Sequence, residues 1–127
     1  METENVANLY RRDTEQRLLR GVYFIYCHLA GRVKIGHTKN LEQRFAFLSV
    51  ACPGPIRLLG FISAIDSKSV ESRIHQQFKH LHSGHGEWFY VRKDILEFVA
   101  NNAEQVDTSN FSYRRSLEIA READDDN

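Results

Sequence analysis

The chain has 127 residues, 42% of them hydrophobic and 27% charged, the balance of a folded domain rather than a disordered one. Two cysteines, Cys27 and Cys52, make no disulfide framework, and no apolar run is long enough to span a bilayer. The net charge of zero hides a basic middle, residues 21–93 at +6, and an acidic end, residues 94–127 at −6. Residues 2–20 show a short helical periodicity at Val6, Leu9 and Tyr10 that lapses at Asp13, a weakly docked helical extension. Residues 21–29 (GVYFIYCHL) are rich in β-branched and aromatic side chains, which fit a pleated surface. Residues of both parities are apolar, so this strand belongs inside the sheet with both faces covered. Ala30-Gly31 is a turn, and residues 32–37 (RVKIGH) form the second arm of an antiparallel hairpin.

Asn40 followed by Gln43 is a capping-box pattern, and the helix it opens sets Leu41, Phe45 and Leu48 on one face. Cys52-Pro53-Gly54-Pro55 ends that helix, because proline cannot continue it. Residues 56–65 read as a third strand, and Asp66 or Ser67 caps a second helix with the apolar stripe Val70, Ile74, Phe78 and Leu81. A loop over 82–86 leads to a short extended segment, 88–91, and to a helix over 94–101. Residues 102–127 form an acidic tail with a short helix over 112–123. The fold class expected is α+β: a small three-stranded antiparallel sheet flanked by helices, with helical extensions at both ends.

The informative residues are ordered. Gly21-Val22-Tyr23 and Lys34-Ile35-Gly36 stand on the two arms of one hairpin, Arg44 follows on the first helix, Glu71 and His75 on the second, and Gly86-Glu87-Trp88-Phe89 beyond. This set resembles the GIY-YIG nuclease superfamily, and more closely its phage-type branch, whose second motif reads KIG and which ends in a GEWF box. The likeness covers residues 21–99. It implies a DNA endonuclease that uses Mg²⁺ or Mn²⁺, with a homodimer allowed; two reduced thiols suit an intracellular location, cytoplasmic or nuclear in a eukaryote. Under this resemblance Tyr23 activates the nucleophile, Arg44 clamps phosphate and Glu71 binds the metal.

Residue chemistry fits these roles. A phenol near its ordinary pKa of about 10 is protonated at neutral pH, so a cation beside Tyr23, Lys34 or Arg44, is expected to favour the phenolate. A guanidinium suits two phosphate oxygens at once, and an anionic oxygen ligand suits Mg²⁺. His75, four residues after Glu71, shares its helix face and is a candidate proton carrier or orienter of metal-bound water; His37 is a candidate phosphate contact. Trp88 and Phe89 are assigned to packing. The sequence departs from the superfamily where Lys34 replaces the second tyrosine, and that favours the rival reading of a non-catalytic DNA- or protein-binding module. Zinc held by His75, His80, His82 and His85 is disfavoured, because no pair of close-spaced cysteines accompanies them. Residues 83–86 lack the lysine of a phosphate loop.

Overall fold

A computed structural model describes residues 19–111; the helical extensions expected over 2–20 and 112–123 lie outside the described residues, save Leu19 and Arg20. The hairpin arms are β1 (Gly21–Cys27) and β2 (Arg32–Thr38), joined through Gly31 in the left-handed region (φ 63°). Its N–H donates to the Cys27 carbonyl at 2.9 Å, and only glycine takes that backbone conformation without a Cβ penalty. Helix α1 (Leu41–Ala51) starts where expected: the Asn40 side chain accepts from the Gln43 N–H at 3.1 Å. Strand β3 (Ile56–Ser63) is followed by α2 (Ser67–Gln77), whose cap Asp66 accepts from the Ser69 N–H. A single 3-10 turn (Lys79–Leu81) carries the chain off α2, and helix α3 (Lys93–Asn102) is the last element described.

The sheet has four antiparallel strands in the order β3-β1-β2-β4, not the three expected. The fourth, β4 (Trp88–Tyr90), has only three residues, fewer than a strand usually needs to show its periodicity. It persists because Phe89 is buried in the core while its backbone pairs with the outer edge of β2, Arg32 opposite Tyr90 and Lys34 opposite Trp88. An edge that would otherwise be bare is thereby covered. The central position expected for β1 holds: every residue from Gly21 to Ile25 is buried.

Two cores result, one on each sheet face. Val22, Phe24, Val33, Ile35 and Phe89 pack with Ile74 and Phe78 of the α2 segment and Ile95 and Val99 of α3. Tyr23, Ile25, Leu58 and Phe61 pack with Leu41 and Leu48 of α1. The chain beyond α3 stays attached: Glu104 bridges to Phe61 with two backbone hydrogen bonds of 2.9 Å, and Val106 and Phe111 join the second core. Cys27 and Cys52 are both free thiols, and burial together with contact with Cys27 pushes the Cys52 thiol up.

Phe89 is the only residue of β4 that is fully buried, so Phe89→Ala removes the apolar anchor of that strand. A loss of about 3–5 kcal/mol of unfolding free energy is expected. Denaturant melts measure it, and a loss below about 1 kcal/mol means that β4 is held by its backbone alone.

Candidate functional site

The ladder between β2 and β4 covers Arg32–Lys34, and the Ile35 N–H donates to the Glu87 carbonyl at 3.0 Å just beyond it. Alternation along β2 then decides where side chains go. Gly36 pairs with Tyr23 and shares its face, whereas His37 pairs with Val22 and shares the face on which α2 packs. At this end of β2, groups from both faces meet around the strand edge.

Gly36 is the pivot. A Cβ built there would collide with the Tyr23 ring and hydroxyl and would lie 2.9 Å from Glu87 Oε2. The missing side chain is what lets a phenol and a carboxylate lean over the same backbone. Glu87 also ion-pairs with Lys34, Oε2 to Nζ at 3.5 Å, and Lys34 stands 5.2 Å from the centre of the Trp88 ring.

Glu71 comes from the other side. It is 8% exposed on α2, with His37 Nδ1 at 2.5 Å from Oε2 and His75 Nε2 at 3.8 Å from Oε1. A buried carboxylate needs such partners, since desolvating an unpaired charge is expensive. His75 is committed elsewhere as well: Nε2 lies 2.6 Å from the Ile35 carbonyl, and its ring meets Phe89 edge-on at 4.9 Å. That geometry makes His75 a brace between α2 and β2. Two other histidines of the sequence cluster also have separate partners, His80 with Asp94 at 3.2 Å and His82 with the Gly86 carbonyl at 2.5 Å.

His37, Glu71 and Glu87 each offer one ligand atom, and these three atoms lie within 4.8 Å of one another. One imidazole nitrogen and two carboxylate oxygens suit a divalent cation of the Mn²⁺ or Mg²⁺ kind, the imidazole inclining the set towards transition metals. The donor set therefore fits the metal expected from the sequence. Glu87 was missed as a site residue by sequence reasoning; its signal was its place in the GEWF box, but only the β2–β4 pairing brings it to Gly36.

The Tyr23 phenol is shifted in the direction opposite to that expected. Burial raises its pKa, Glu87 and Glu71 add to the rise, and Arg44 opposes it. Lys34 is ion-paired with Glu87, one of the two carboxylates that raise the phenol's pKa. Arg44 itself is exposed on α1 and lines a recess with Gln43 and Phe47. Tyr23, Lys34, His37, Glu71 and His75 thus gather at one strand end, with Arg44 near enough to act on Tyr23 through its field. Trp88 departs from its packing assignment: it is half-exposed, on the Tyr23 face of the sheet, beneath Lys34.

Residues 21–104 match the T5orf172 domain, about two thirds of the chain. The chain belongs to the T5orf172 domain family. Neither the curated proteins nor the solved structures yield a match. The matched span of this T5orf172 domain begins at the first residue of β1 and ends at Glu104, the residue bridged to β3.

Glu87 raises the phenol's pKa and Lys34 is its ion-pair partner, so the two substitutions are expected to have opposite signs. Glu87→Gln removes a negative neighbour and lowers the phenol's pKa; Lys34→Met leaves Glu87 uncompensated and raises it. If Lys34 acts only by holding and neutralising Glu87, its effect disappears in the double variant. Phenolate absorbance, taken as the difference from the matching Tyr23→Phe chain, measures each shift. A Lys34→Met shift that persists without Glu87 means that Lys34 acts directly.

Proposed function

We propose that this protein is a divalent-metal-dependent endonuclease that hydrolyses phosphodiester bonds in DNA. The observation that carries the reading is the convergence of Tyr23, His37, Glu71 and Glu87 around Gly36, on the hairpin whose two motifs resemble those of the GIY-YIG nucleases. Membership of the T5orf172 domain family, which is phage-associated and related to nuclease-like folds, supports it.

In this reading Glu71 holds the metal, with His37 and Glu87 beside it. The bound Mg²⁺ or Mn²⁺ supplies positive charge for the phosphoryl oxygens and the leaving oxygen. Arg44 presents its planar fork to the phosphate from the rim of the α1 recess. Tyr23 orients and activates the attacking water; its phenol is protonated at neutral pH, so its contribution grows as the solution becomes more alkaline. Lys34 holds Glu87 in place and adds positive charge on the approach to Tyr23. His75 keeps α2 and β2 in register, and so keeps Glu71 facing His37.

A second reading, a DNA-binding module without hydrolysis, is favoured by the raised pKa of Tyr23. Incubation of supercoiled plasmid with Mg²⁺ or Mn²⁺ separates the two. The nuclease reading expects nicking that is lost by at least about a hundredfold in Glu71→Ala and in Arg44→Ala, both folded by circular dichroism. Tyr23→Phe abolishes nicking and spares DNA binding. Nicking by Glu71→Ala within a few-fold of the unsubstituted chain contradicts the site.

A further inference from the structure

The sheet face that carries Tyr23 is covered unevenly. Over β1 and β3 it is packed beneath α1, through Leu41 and Leu48. Over β2 and β4 the same face presents Arg32, Lys34, Trp88 and Tyr90, all partly buried, with 18% of the Lys34 side chain exposed, while the alternate residues Val33, Ile35 and Phe89 are buried on the other face.

These four side chains and Arg92 form a ladder of cations on aromatic rings. The Arg32 guanidinium lies 4.3 Å from the centre of the Tyr90 ring and that of Arg92 5.6 Å from the same ring. Lys34 stands 5.2 Å from the Trp88 ring and is ion-paired with Glu87 at 3.5 Å. The rings hold the charged heads in place, so less side-chain freedom is lost when an anion binds. An arginine has five N–H donors; the Ala30 carbonyl takes one of Arg32's at 3.1 Å, and the Val91 carbonyl one of Arg92's at 3.0 Å. Along β2, Arg32, Lys34 and Gly36 follow one another at about 7 Å, so the ladder runs straight to the Tyr23–Gly36 centre. The surrounding segment, residues 21–93, is the one with a net charge of +6.

We propose that the β2–β4 half of this face, through Arg32, Lys34 and Arg92 braced on Tyr90 and Trp88, binds the sugar-phosphate backbone of the DNA strand that enters the site. The partner is duplex DNA, and the contact is to phosphates, because the ring faces that would stack on bases are occupied by the cations. Such contacts fix the strand's register and carry no sequence information. The proposal rests on the nuclease reading for the identity of the strand, but its test needs no cleavage.

Binding of the full chain to a labelled duplex is measured in EDTA over a range of KCl concentrations. Replacing Arg32 or Arg92 by glutamine is expected to reduce the slope of log K against log salt by about one each, and both together by about two. Tyr90→Phe, which keeps the ring, retains the original affinity; Tyr90→Leu weakens binding several-fold. An unchanged slope in the folded double glutamine variant overturns the proposal, as does equal loss in Tyr90→Phe and Tyr90→Leu. Binding that follows these slopes without any metal-dependent nicking overturns the nuclease reading and leaves this surface standing. Nicking with binding indifferent to Arg32 and Arg92 overturns the surface alone.

Discussion

The site depends on the absence of a side chain at Gly36. One added carbon there meets the Tyr23 ring and hydroxyl, and Glu87 Oε2 at 2.9 Å, so no other residue lets both groups occupy the β2 backbone. The neighbouring residue, His37, points to the other face by the alternation of a strand and meets Glu71. A glycine followed by a histidine at a strand end thus brings two faces of a sheet to one point. Everything else in the site is held relative to that pair: Glu71 by α2, Glu87 by the pairing of β4 on β2, and Tyr23 by the register of β1 on β2.

The same crowding sets the electrostatics. Two carboxylates and a phenol share a small, partly desolvated volume, and the negative neighbours oppose phenolate formation more than the exposed Arg44 promotes it. A cation bound among His37, Glu71 and Glu87 would neutralise two of the three influences that raise the Tyr23 pKa, burial being the third. Lys34 compensates Glu87 from the adjacent position of β2, which gives a physical use to the lysine that stands where the resembled family has a tyrosine.

Much of this was readable along the chain. The apolar run of β1, the Asn40 cap and the α2 stripe each follow local chemistry, and each falls within a few residues of its expected bounds. The ordered motifs also set Tyr23 and His37 on the two arms of one hairpin and Glu71 on the second helix. Three features were not readable, for a common reason. Strand β4 has three residues and exists through its partner; Glu87 enters the site only through that pairing; and the sign of the Tyr23 shift depends on burial. All three are consequences of contacts between segments distant along the chain, on which local periodicity is silent. Trp88 illustrates the same limit, since an aromatic beside a core phenylalanine reads as core until alternation places it on the open face.

The central claim is that His37, Glu71 and Glu87 form one cation site beside Tyr23. Calorimetric titration of the full chain with Mn²⁺ tests it most directly, because it reads binding without reference to cleavage. The account predicts one ion per chain, with affinity reduced by at least about tenfold in each of His37→Ala, Glu71→Gln and Glu87→Gln. Mn²⁺ binding that is unchanged in all three folded variants, or that fails in the unsubstituted chain, contradicts it.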